Sequence, residues 1–142
     1  MFVARRLVIS AAEDVGLADP QALSVAVAAQ QAAHFVGLPE AVLPLSEAAV
    51  YLARAPKSNS AMRAYGAAVE AIRETGNLAV PAHLRNAPTR LAKSMGHGRD
   101  YRYPHDFAGG TVEQQYLPDG LAGRKFYRPG ERDTAPDSLE PQ

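Results

Sequence analysis

The sequence predicts an all-α fold, a helical bundle followed by an irregular, extended C-terminal segment. Three observations carry this. Apolar residues recur at helical spacing through most of residues 2–75. Glycine and proline interrupt that pattern about once per helix length, at Gly16, Pro20, Gly37, Pro39, Pro56 and Gly76. Beyond residue 95 the periodicity fades, and residues 96–128 hold six glycines: Gly96, Gly98, Gly109, Gly110, Gly120 and Gly123.

The first helix is expected from Phe2 to Val15, with Phe2, Val3, Leu7, Val8, Ala11 and Ala12 on its apolar face and Gly16 as its stop. Asp19 then reads as an N-cap and Pro20 as the first helical residue, where proline's missing N–H costs nothing. The second helix runs to about Val36. Its alanines (Ala26, Ala28, Ala29, Ala32, Ala33) allow close helix approach, and Gly37 ends it. A third helix carries Val42, Leu45, Ala49 and Leu52 on one face. Pro44 would cost about 3 kcal/mol inside a helix, so the helix is expected to begin there rather than at Pro39. Ser58 or Ser60 caps a fourth helix with Met62, Tyr65, Val69 and Ile72 in a stripe, closed by Gly76. A turn around His83 to Asn86 and a last helix from Pro88 to about Met95 follow. Extended stretches and turns, with room for a short strand pair, are expected next, pinned by Tyr101, Tyr103, Phe107, Tyr116, Phe126 and Tyr127. The organisation predicted is a helical domain at 1–95, a basic and aromatic segment packed on it at 96–129, and a disordered tail at 130–142.

The 142 residues suffice for one domain. There is no long apolar run and no signal-peptide order of residues, so a cytoplasmic protein without a membrane span is expected. The lack of cysteine removes disulfides, thiolate nucleophiles and cysteine-based metal sites. Net charge is zero, which excludes a global field steering the chain to nucleic acid. Locally, residues 85–128 hold eight basic side chains, Arg85, Arg90, Lys93, Arg99, Arg102, Arg124, Lys125 and Arg128, against Asp100, Asp106, Glu113 and Asp119. These eight are the candidate DNA contacts. Aromatics beside arginines can stack bases while guanidinium groups take phosphate. Alternation in an extended segment can equally turn the aromatics inward and the charges out.

Catalytic patterns are missing. No G-x-x-x-x-G-K-[ST] loop occurs, so ATP hydrolysis by this chain alone is excluded, and no G-x-S-x-G elbow appears. His97, Asp100, His105 and Asp106 are four potential metal ligands in one stretch, but with loose spacing they read better as polar loop residues. His34 reads as a partly buried or interfacial histidine. Adjacent Glu13 and Asp14 diverge by about 100° on a helix and so do not share a proton. No catalytic, cofactor-binding or metal residue is therefore assigned.

Three blocks, Ala12-Glu13-Asp14-Val15-Gly16-Leu17-Ala18-Asp19-Pro20, Tyr51-Leu52-Ala53-Arg54-Ala55-Pro56-Lys57-Ser58-Asn59-Ser60 and Val80-Pro81-Ala82-His83-Leu84-Arg85-Asn86-Ala87, are joined by Tyr101-Arg102-Tyr103-Pro104-His105-Asp106 and by Gln114-Gln115-Tyr116-Leu117-Pro118 with Arg124-Lys125-Phe126-Tyr127-Arg128-Pro129. In this order they resemble the C-terminal, post-AAA+ oligomerisation region of the RarA/MgsA family of AAA+ ATPases, similar to the eukaryotic Werner-helicase-interacting ATPases. Pro44 departs from the family, where a helix former is expected.

The resemblance implies a helical domain like a clamp-loader collar that joins subunits into a tetramer, in a protein of replication-fork maintenance, recombination and DNA repair. It implies that ATP and Mg belong to an AAA+ module absent from this chain, which takes no cofactor itself. The chain is then a fragment cut at the first helix, with Met1 added there. The implied partners are further copies of itself, the AAA+ module of the same chain and, through the parent protein, DNA and single-stranded-DNA-binding protein, at a cytoplasmic, nucleoid-associated location.

Overall fold

The computed structural model describes residues 1–134, and within them every regular element is helical. Helix α1 spans Phe2–Ser10 and continues as a π turn, Ala11–Val15, and a 3₁₀ turn, Gly16–Ala18. Helices α2 (Gln21–Val36), α3 (Val42–Arg54), α4 (Ser60–Thr75) and α5 (Arg90–Ser94) follow. Short 3₁₀ turns at Ala82–Leu84, Pro104–Asp106, Ala108–Gly110 and Asp119–Leu121 punctuate the rest. No strand pair forms among the described residues.

Two compact units result. One comprises Met1–Ala67 with the stretch from Phe126 onward, the other Ala68–Lys125, so the chain leaves the first within α4 and returns to it at Phe126. In the first unit α1, α2 and α3 pack on one another. Of the expected tail at 130–142, residues 135–142 lie outside the described residues. The Thr134 N–H donates to Leu17 O at 2.8 Å, so residues up to 134 are tied to the first unit.

Local chemistry explains the helix starts. Asp19 is extended (φ −151°, ψ 90°) while Pro20 is already helical (φ −59°, ψ −21°). Asp19 is thus the N-cap residue by conformation, and its Oδ1 accepts the Gln21 N–H at 3.1 Å. Helix α3 begins two residues before Pro44, which is where the expected start needs correcting. Pro44 occupies the first turn, whose N–H groups have no intrahelical partner anyway, so the proline costs no hydrogen bond. Helix α5 begins at Arg90 rather than Pro88, because the Thr89 hydroxyl accepts the Ala92 N–H at 3.1 Å and sets the cap.

The faces differ from those expected, and the cause is common to all. The buried positions are small: Ala4, Ala11, Val15 and Ala18 near the N-terminus, Ala22, Ala26 and Ala29 on α2, and Ala41, Ala48 and Leu52 around α3. Val15 is the largest side chain that is completely buried. Phe2, Val3 and Ala12 on the first segment, and Val42 and Ala49 on α3, are exposed instead of inward. On α4 the reversal is fuller. Ser60 and Ala71 are buried and Ala64 and Ala68 half-buried, whereas Met62, Tyr65 and Ile72 face solvent.

Candidate functional site

In the first unit the sequence blocks 12–20 and 51–60 meet. The Ser58 N–H donates to Asp14 O (2.9 Å) and Val15 O (3.2 Å), and the Tyr51 hydroxyl donates to Asp19 Oδ2 (2.7 Å), tying α3 to the cap of α2. That bond to Asp19 pushes the Tyr51 phenol above its usual pKa. Lys57 Nζ donates to Leu52 O (2.8 Å) and to Ala55 O, capping the C-terminus of α3.

Chain returning at Phe126 closes this knot. Asp133 Oδ2 accepts from the Tyr127 hydroxyl and from the Gly130 N–H, each at 2.8 Å. Burial alone would raise the Asp133 carboxyl, but the Ser58 and Ser60 hydroxyls, the Gly130 N–H and the Tyr127 hydroxyl together hold it down to about 2. Burial and the same contact with Asp133 push the Tyr127 phenol up.

The second unit has a knot of its own. The Gln114 side-chain amide accepts from Arg102 N (3.4 Å) and donates to Arg102 O (3.0 Å), while the Arg102 guanidinium donates to Glu113 O (2.9 Å) and lies 4.7 Å over the Phe107 ring. A glutamine side chain thus does here what a strand pair would do. His83 Nε2 lies 2.8 Å from Gln115 O, and the Gly98 N–H donates to Ala82 O at 2.9 Å, drawing in the third block.

This geometry sorts the eight basic candidates. Arg85 is committed to Val80 O (2.6 Å), Arg102 as above, and Arg124 to Glu74 (2.8 Å). Arg99 lies 3.7 Å from Asp100 with both side chains largely in solvent, a weak constraint. Arg90, Lys93, Lys125 and Arg128 make no ion pair among the described residues. Arg128 belongs to the first unit, the other seven to the second. Tyr101, Tyr103 and Tyr116 are about half exposed, contrary to the expected inward pinning, while Phe107 and Phe126 are half-buried.

The four candidate metal ligands are not gathered. His97 Nε2 lies 3.5 Å from Arg85, the His105 ring tilts against Tyr103 at 5.0 Å, and Asp100 faces Arg99. Among the described residues no three His, Asp or Glu side chains are placed to hold a metal ion, and no helix is long and apolar enough to cross a membrane.

Large apolar side chains also remain in solvent. At the corner between α2 and α3, Phe35 is 90% exposed, Leu38 80% and Leu43 70%, with Val36 and Val42 half exposed beside them in sequence. Sequence reasoning missed this corner by assigning Val42 to the core. The signal was present as a run of large apolar residues around Gly37 and Pro39 that no single helical face accommodates.

Comparison with known proteins decides the family. The model of the MgsA AAA+ ATPase C-terminal family matches residues 1–140. The chain belongs to this family. It is 48% identical over 129 residues to the replication-associated recombination protein A of Coxiella burnetii, covering 90% of this chain and 29% of that protein. It is 47% identical over 127 residues to the protein of the same name from Bacillus subtilis, covering 89% and 30%. The ATPase WRNIP1 of Dictyostelium discoideum is 46% identical over 128 residues, covering 89% of this chain and 15% of that protein. The chain thus spans less than a third of the length of these relatives. As a member of the MgsA C-terminal family, it carries the blocks that identified it in its two hydrogen-bond knots. Several of those residues hold segments of the chain together.

Proposed function

We propose that this chain is the homo-tetramerisation module of an AAA+ ATPase acting in replication-fork maintenance, recombination and DNA repair. The observation that supports it is the disposition of apolar side chains, with alanines filling the core while Phe35, Leu38, Leu43 and Tyr65 stand in solvent. A lone soluble domain gains most by burying its largest apolar groups, so leaving them outside favours a second polypeptide as their cover. In this reading the chain itself is not an enzyme. ATP and Mg belong to the AAA+ module, and DNA and single-stranded-DNA-binding protein are reached through the intact protein at the nucleoid. The partners are further copies of the chain and its own AAA+ module. The mass of the purified chain by light scattering tests this; a mass of four chains is expected, and a monomer would refute it.

DNA binding by the basic segment is a second reading, favoured by one observation: Arg90, Lys93 and Lys125 make no ion pair among the described residues, in the unit that exposes Tyr101, Tyr103 and Tyr116. With so few free cations, affinity should fall steeply with salt, at a slope near −0.9 per phosphate contact on duplex DNA. Fluorescence anisotropy with forked and single-stranded DNA is expected to give binding at low salt that fades towards physiological salt. Replacing Arg90, Lys93, Lys125 and Arg128 together by alanine should abolish it. Tight binding retained by that variant would contradict this assignment.

A further inference from the structure

We infer that one of the contacts that assemble the chain is the α2–α3 corner together with the outward face of α2, docked on the same surface of a second copy about a two-fold axis, which joins chains in pairs and leaves a second contact to join the pairs. The inference rests on the oligomerisation reading above and adds to it a place and a symmetry.

Charge is the first argument. From Pro20 to Ser46 the only formally charged side chain is Glu40, in a chain that is 21% charged. The exposed face of α2 follows Ser24, Ala28, Gln31 and Phe35, at steps of four, three and four, and so forms one stripe about 16 Å long. A solvated helix face ordinarily carries charges. The centre of a protein interface is where they are depleted and aromatics enriched. Small residues at 24 and 28 let a facing helix come close, and Phe35 at the end of the stripe supplies a large anchor.

Area is the second. Phe35, Val36, Leu38, Val42 and Leu43 leave roughly 600 Å² in solvent, at the top of what monomeric proteins show. With the α2 stripe added, this approaches the ~800 Å² that each partner contributes to a standard interface.

The occupant follows from the same facts. A nucleic acid or a charged peptide needs opposite charge, and this surface offers none beyond Glu40 and the exposed His34. An uncharged apolar surface is complementary to its own copy without like-charge repulsion, and an isologous contact is the commonest way for two copies to join. His34, read from sequence as partly buried or interfacial, lies on this surface one residue from the anchor.

The absence of cysteine permits a direct test. The full chain is compared by light scattering with Phe35→Ser/Leu43→Ser and with Ala28→Arg, which charges the stripe without touching the corner. Circular dichroism reports folding of each, and a spin label at Glu40→Cys, exposed at the corner but outside its apolar set, reports distance between copies. The inference expects both variants to stay helical and lose mass relative to the wild type, and the label to give a short, narrow distance. A wild type that assembles while both variants keep its mass, or a label far from its counterpart, overturns the inference and leaves the oligomerisation reading standing. A monomeric wild type removes that reading, and the inference with it.

Discussion

Gly16 and Asp133 show how individual residues hold the first unit together. Gly16 adopts φ +51°, and a Cβ there would stand 2.6 Å from Ser58 O, on backbone that cannot retreat while the Ser58 N–H is bonded to Asp14 O and Val15 O. Gly16→Ala therefore meets strain and a clash together and should cost about 3 kcal/mol in urea unfolding. Asp133 is ionised far below its ordinary pKa of 3.8, at about 2, in the folded chain. A depressed carboxyl contributes stability above the unfolded value that is lost as pH falls through the folded one. Melting temperature should accordingly drop between pH 3.8 and about 2, and Asp133→Asn should be less stable at neutral pH and flatter across that window. A variant with the wild-type profile would mean that the knot does not depend on the charge. The Asp19 cap was legible in the sequence because it acts on its own neighbours. The need for glycine at 16, beyond stopping a helix, was not, because it comes from Ser58, a distant part of the chain.

At the level of helices, the number and order of elements could be read from glycine and proline, and the orientation of several could not. Periodicity rules follow large apolar residues, on the assumption that the largest are inside. Here alanine fills the buried positions, so the stripe Met62, Tyr65, Val69 and Ile72 marked a face of α4 that is largely in solvent, and Val42 marked an exposed corner. Pro44 misled for a related reason, since it lies in the one turn of α3 where its missing N–H is harmless. One substitution made at two places tests the register. Ala26 is fully buried on α2, so Ala26→Leu should overpack and cost about 2 kcal/mol. Ala53 is exposed on α3, and Ala53→Leu should change stability by less than about 0.5 kcal/mol. Equal effects in chemical denaturation would show the helices to be rotated from this description.

For the molecule as a whole, the family and the all-helical class were legible from five ordered blocks and the punctuation between them, and the family model bears them out. Several residues of these blocks hold segments together: Gln114 pairs with the backbone of Arg102, and the Tyr127 hydroxyl donates to Asp133. The candidate DNA surface was only partly legible. Sequence counts cations without their partners, and Arg85, Arg102 and Arg124 are committed within the second unit. The proposed assembly surface was least legible, since it consists of what the core leaves out. The proposed self-assembly rests on an alanine-filled interior with large apolar side chains left in solvent. The most direct test is the molar mass of residues 1–142 by light scattering over a dilution series from tens of micromolar downward. Four chains are expected at the upper concentrations, dissociating on dilution, whereas one chain throughout the series would contradict self-assembly.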